Sequence, residues 1–137
     1  MGVNAQYMLD TNICIYILKK HPDSVLKKFQ TFDDIHISAI VYSELQYGIE
    51  LSPKKTKQIR FNQLLDFLSL LTIDTWDQNA ADSYARLRAC LKSKGNIIGN
   101  MDMLIAAHAL STNSVLISNN TREFERIPEL KLENWTI

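Results

Sequence analysis

The chain has 137 residues, 46% of them hydrophobic and 22% charged, with 15 Lys+Arg against 15 Asp+Glu and a formal net charge of zero. This is the composition of one globular domain, long enough to bury about two thirds of the surface its unfolded form exposes without structural zinc or disulfides. Zero net charge excludes a binder that relies on an overall excess of Lys and Arg to release counterions from phosphates, while leaving room for a local basic patch.

The first residues, Met1 to Gln6, lack both a basic start and an apolar run, so no signal peptide is expected and the chain is placed in the cytoplasm. Tyr7-Met8-Leu9 is a short apolar run ending at Asp10, which predicts a strand. Thr11-Asn12 then offers capping side chains for a helix carrying Ile13, Ile17 and Leu18. Pro22 opens a second helical stretch through Phe29, and Ile35-His36-Ile37 reads as a brief strand. Ser38 is a good N-cap for a helix over Ala39 to Leu51. Ser52-Pro53 restarts the pattern as N-cap and first helical residue, and the helix that follows runs to Leu68 with Lys54, Lys55, Lys57 and Arg60 at its start.

Leu70 to Ile73 predicts another buried strand, and Ala80, Tyr84, Leu87 and Leu91 set the spacing of a long helix closed by Gly95. Met101 to Leu110 is apolar nearly all round and is expected to be a buried helix. Val115-Leu116-Ile117 reads as a strand, Thr121 to Glu125 as a short helical turn and Leu132 to Trp135 as an edge strand. Short apolar strands alternating with helices predict an α/β fold with a mostly parallel sheet, and no linker or repeat divides it. Cys14 and Cys90 each sit in an apolar-periodic stretch without a CxxC, which predicts two buried structural thiols. No stretch approaches the ~18 apolar residues of a membrane span.

Three acids break the local pattern. Asp10 ends a buried strand, Glu44 shares the apolar face of its helix with Val41 and Leu45, and Asp102 opens the most apolar helix, which places each acid at a strand-to-helix junction or in the first turns after it. In an open parallel sheet, ligands bind at the carboxyl ends of the strands. Unpaired carboxylates brought together there repel and resist burial, so a positive charge should offset them. A hard divalent cation, Mg²⁺ or Mn²⁺, suits carboxylate oxygens, whereas His21, His36 and His108 have no zinc-binding spacing. The competing reading makes Asp10 and Asp102 helix-dipole partners and pairs Glu44 with an arginine. Ser118, Asn119 and Asn120 add a polar cluster just beyond the Val115 to Ile117 strand, where a turn is the alternative use. The chain has no GxGxxG, Walker GxxxxGK or GxSxG sequence, and an aspartyl-phosphate chemistry would want a second acid where Asn12 stands.

At these residues the sequence resembles the PIN-domain ribonucleases, and among them the VapC toxins of bacterial toxin–antitoxin pairs. The matching segments are Met8-Leu9-Asp10-Thr11-Asn12, Ser38 through Ser43-Glu44-Leu45 and Gly48, Ile98-Gly99-Asn100-Met101-Asp102 into Ile105-Ala106-Ala107-His108-Ala109, and Ile117-Ser118-Asn119-Asn120-Thr121-Arg122-Glu123-Phe124. The resemblance implies a single PIN domain over residues 1–137 and a Mg²⁺- or Mn²⁺-dependent endoribonuclease that cuts RNA, often tRNA. It also implies a VapB-type antitoxin that projects a basic group toward the acids and carries the contact with operator DNA. A homodimer built through Leu45 to Leu68, and a higher toxin–antitoxin assembly, belong to the same expectation.

Asp10, Glu44 and Asp102 match the family's metal-binding acids, and Asn120 stands in the place of its fourth acid, with Glu123 nearby to compensate. Thr11 and Ser118 match the small polar residues that orient the acids, and Asn12 matches the residue that completes the first motif. RNA would run along Lys54, Lys55, Lys57 and Arg60 or along Arg86, Arg88, Lys92 and Lys94, with Tyr42, Tyr47 and Trp76 as stacking candidates that could equally serve the core. The reading from a different class is an α/β interaction module that keeps the fold without the chemistry, with Asn120 as the first sign of that loss.

Overall fold

The computed structural model describes residues 5–137, so the expectation for the chain start falls, at Met1 to Asn4, outside the described residues. Tyr7–Leu9 forms β1 and runs into α1 (Thr11–Lys19) with no loop between them. The cap of α1 is Asp10 itself, whose Oδ1 accepts from the Ile13 amide at 3.0 Å, rather than Thr11 or Asn12. α2 (Asp23–Thr31) starts just after Pro22, and β2 (Ile35–Ser38) then leads directly into α3 (Ala39–Glu50), capped by Ser38 as the sequence predicts.

The helix α4 (Lys54–Leu68) is preceded by Pro53, which takes the cap position because Ser52 turns its hydroxyl back to the Gly48 carbonyl at 3.1 Å. β3 (Thr72–Asp74) is shifted from the expected Leu70 to Ile73, and Thr72 and Ile73 are exposed because this strand lies at the edge of the sheet. α5 (Gln78–Ser93) closes near Gly95, whose φ of 69° is the left-handed conformation expected there. Cys14 is buried, but Cys90 is exposed, because it falls off the stripe of Ala80, Leu87 and Leu91 that α5 buries. α6 (Asn100–Ser111), β4 (Val115–Ile117), α7 (Thr121–Phe124) and β5 (Lys131–Glu133) complete the order, with β5 starting one residue and ending two residues earlier than expected.

The described strands form a five-stranded sheet in the order β3-β2-β1-β4-β5, and every neighbouring pair is parallel. β1 lies at its centre. The chain first grows outward on one side through β2 and β3, then crosses to β4 and β5 on the other, so the carboxyl end of β1 is where the winding reverses. On the β3 side, the His36 ring bridges the edge to the sheet, with Nε2 at 2.7 Å from Asp34 and Nδ1 at 2.9 Å from Asp74. Burial works against a charge on that ring, but its hydrogen bonds to Asp34 and Asp74 prevail and hold it above the ordinary histidine range.

Trp135 carries the far side. It is fully buried, stacks on Phe32 at 5.6 Å between ring centres and tilts against Tyr7 at 6.1 Å, joining the end of the chain to β1. Trp135→Ala is expected to lower the unfolding free energy in urea by about 3–5 kcal/mol, and a loss below about 1 kcal/mol would contradict this packing.

Candidate active site

Three of the predicted acids arrive at the carboxyl edge by different routes. Asp10 is set by the absence of a loop between β1 and α1, and it is buried, with 6% of its surface exposed. Its carboxylate accepts from the Ile13 amide and is also hydrogen-bonded by Ser118 at the end of β4. One residue on, the Thr11 hydroxyl donates to Glu44 Oε1, tying the first turn of α1 to α3. Asp102 comes from the first turn of α6, which follows α5 and not a strand, so it is not at a strand-to-helix junction as the sequence pattern suggests. Glu44 and Asp102 are half-buried where full burial is expected, and Glu44 is held by a threonine and not by an arginine.

The turn after β4 supplies the remaining groups. Asn120 donates through Nδ2 to Asp102 Oδ2 at 3.2 Å and to Glu123 Oε2 at 3.1 Å, so one amide gathers both carboxylates. The Ser118 hydroxyl accepts from the Asn120 amide at 2.9 Å and shapes the turn. Asn119 points the other way, donating to the Tyr16 hydroxyl at 2.8 Å and fastening the turn to α1. Asn12 is exposed.

The electrostatics follow from this crowding. Burial pushes Asp10 above its ordinary range, opposed by its hydrogen bonds and aided by the charge of Glu44. Asp102 is pushed up to about 7, first by burial, then by the facing carboxyl of Glu123 and the charges of Asp10 and Glu44. Glu123 is moved down by its hydrogen bonds to Asp102 and Asn120, so the proton of this pair rests on Asp102 while Glu123 stays ionised. Among the described residues no lysine, arginine or histidine is a cause of the shift of Asp10 or Asp102, whereas Arg126 helps lower Glu123.

Oxygen donors lacking a positive partner fit a hard divalent cation. Among the described residues no three His, Cys, Asp or Glu side chains stand close enough to grip one ion between them, so these acids meet through their fields.

The family model for the PIN domain matches residues 7–130, which includes every one of these groups. The chain belongs to the PIN-domain family. It is 48% identical over 132 residues to ribonuclease VapC2 of Rickettsia felis, covering 94% of this chain and 97% of that protein. It is 38% identical over 133 residues to the tRNA(fMet)-specific endonuclease VapC of Salmonella typhimurium, covering 95% and 98%. The fold superposes on the solved VapBC2 complex of Rickettsia felis bound to a promoter DNA fragment with a TM-score of 0.85 at 46% identity, covering 94% of this chain and 98% of that one. Within the PIN-domain family the chain therefore sits among the VapC ribonucleases.

Of the other PIN-domain residues considered, the basic clusters lie on α4 and α5 and are partly engaged. Lys57 pairs with Glu50 at 3.4 Å, Arg60 donates to Ser52, and Arg88 sits over the Tyr84 ring at 5.9 Å. Trp76 donates to the Leu104 carbonyl and Tyr42 is half-buried, which leaves Tyr47, 65% exposed, as the open aromatic of the three.

Because its folded value lies above its unfolded one, Asp102 keeps a proton in the folded chain that the unfolded chain releases between about pH 4 and pH 7, and stability falls as pH rises through that window. Asp102→Asn is therefore expected to melt higher than the parent at about pH 8 in EDTA, with the gap shrinking toward about pH 4. A variant melting no higher at the alkaline end would contradict the crowding.

Proposed function

We propose that the carboxyl edge of the sheet hydrolyses RNA phosphodiesters with a bound Mg²⁺ or Mn²⁺. Ribonuclease activity and the toxin role in a type II toxin–antitoxin pair follow from membership of the VapC group. The observation that supports the site is the pair Asp10 and Asp102, crowded by Glu44 and Glu123 and shifted by no cationic side chain among the described residues, while Arg126 acts on Glu123. Asp10, Asp102 and Glu44 would hold the ion, directly or through water, with Glu123 serving as the acid that Asn120 does not provide. When bound, such an ion lowers the pKa of water and offsets charge on the phosphate.

The side chains then have distinct tasks. Asp10 is held by the Ile13 amide and by Ser118. Thr11 keeps one Glu44 oxygen occupied and so orients the other. Asn120 holds Asp102 and Glu123 side by side, which makes it a tether within the site and weakens the reading of the chain as a module without chemistry. Attack in line with the leaving 3′ oxygen gives a 5′-phosphate end.

We assign tRNA as the substrate class, by analogy with the Salmonella relative, and the cytoplasm as the place of action. The whole chain would act as a single PIN domain. No helix among the described residues is long and apolar enough to cross a membrane. The partner would be a VapB-type antitoxin, through which alone the toxin would meet operator DNA. An open groove of about 380 Å³ beside the site, apolar along Ile15, Leu18, Leu45, Ile49 and Leu64 and reaching Glu44, supports docking of an apolar antitoxin segment with its basic group toward the acids. Exposed Tyr47, Leu51, Ile59 and Leu65 on and between α3 and α4 support a homodimer through those helices.

Asp10→Asn and Asp102→Asn are each expected to reduce Mg²⁺-dependent RNA cleavage by about a hundredfold or more. Asparagine caps a helix as well as aspartate, so α1 should persist in the circular dichroism spectrum. Thr11→Ala, which frees Glu44, should cost about tenfold. Cleavage by both aspartate variants at the parental rate, or full parental activity in EDTA, would overturn the site.

A further inference from the structure

Away from the acids, one buried polar link stands inside an otherwise apolar contact. His108 is 1% exposed on α6, a helix whose neighbours Ile105, Ala106, Ala107 and Ala109 are all buried. Its Nδ1 lies 2.7 Å from the hydroxyl of Ser38, which is fully buried at the junction of β2 and α3. That hydroxyl already accepts from the Ile40 amide at 3.1 Å, so its single hydrogen is free to point at the imidazole. With that hydrogen directed to Nδ1, the ring hydrogen sits on Nε2, where it can meet the Thr75 backbone. Burial, which lowers the imidazole's affinity for a second proton, agrees with this.

The two ends of the link belong to the two helices that carry half-buried acids. Ser38 caps α3, which holds Glu44, and His108 lies on α6, which holds Asp102. Apolar contact is non-directional, whereas a hydrogen bond fixes direction as well as distance. Asp102 lies about 9 Å from His108 along the helix axis. A tilt of roughly 10° at His108 would carry Asp102 through about 1.5 Å, and displacements of about 1 Å can cost a hundredfold in rate.

We propose that His108 is a positioning residue: through its hydrogen bond with Ser38 it sets α6 against α3 and thereby fixes the spacing of Asp102 from Glu44. Trp76, next to Thr75, supports the same helix from the β3–α5 connection by donating to the Leu104 carbonyl at 3.0 Å. The inference rests on the reading of Asp102 and Glu44 as acids of the ribonuclease site.

The test compares two substitutions of similar polarity. In His108→Asn the amide oxygen takes the place of Nδ1 and can accept from Ser38, whereas His108→Gln reaches past it. Residual dipolar couplings of the metal-free proteins should show α6 reoriented against α3 in H108Q and parental in H108N. With Mn²⁺ and RNA, H108Q should lose about tenfold or more in kcat with KM within about twofold, and calorimetry without RNA should show a similar loss of Mn²⁺ affinity; H108N should stay within about threefold on both. Ser38→Ala also removes the cap of α3 and so serves as its own reference: Ser38→Ala combined with H108Q should be no worse in kcat than Ser38→Ala alone, since the link is already gone. Parental dipolar couplings in H108Q, or equal losses in the two variants, would overturn the inference. A parent that neither binds Mn²⁺ nor cuts RNA would instead overturn the proposed ribonuclease site, with the couplings still deciding whether His108 holds α6.

Discussion

Repulsion among carboxylates gathered at one edge of a parallel sheet, with no cationic side chain among the described residues shifting Asp10 or Asp102, is the constraint around which this molecule is arranged. Asp10 stands at the centre of that edge because β1 is the central strand and passes straight into α1. Glu44 and Asp102 come in on α3 and α6, and Glu123 comes in on α7. Glu44 raises the cost of ionising Asp10, and Glu123, Asp10 and Glu44 together raise that of Asp102, which bears most of it. Arg126 acts on Glu123, and no cationic side chain among the described residues shifts Asp10 or Asp102.

Such a cluster persists only if the scaffold forces it, and several side chains here have double duties for that reason. Asp10 caps α1, so the helix that depends on it also immobilises it. Ser38 caps α3 and meets the imidazole from α6. Asn120 uses one amide group to hold two carboxylates that would otherwise separate. Each of these bonds is modest, about 1 kcal/mol net, with more where a charge is involved. Acting together in a partly dry setting they outweigh the repulsion, while the apolar core beneath, from Met8 and Leu9 to Leu116 and Ile117, supplies the bulk of the folding free energy.

The sequence made the α/β order, the parallel sheet and the main acids legible, because acids interrupting short apolar runs are rare where water is excluded. It misled where two uses compete for one residue. Thr11 and Asn12 look like better caps than Asp10 because the strand pattern already claims Asp10, yet the missing loop puts the carboxylate in the capping position. Leu70 to Ile73 has the composition of a buried strand, but edge position is a property of the whole sheet, and the pairing falls at Thr72–Asp74 with its face open. Cys90 fits a helical apolar spacing but lies just off the stripe that α5 buries. The tether role of Asn120 and the link between Ser38 and His108 join residues far apart in the chain. No local pattern announces such links, although a histidine inside a nearly all-apolar helix is the one available signal.

Calorimetric titration of Mn²⁺ into the protein at pH 7, repeated in buffers of different ionisation enthalpy, measures the coupling between ion and carboxylates most directly. If the acids are crowded and Asp102 is half-protonated there, as its value of about 7 requires, binding should release about half a proton per ion. That release should disappear in Asp102→Asn. Absence of binding, or binding of Mn²⁺ with no proton release, would contradict the claim that these carboxylates stand ready for a cation.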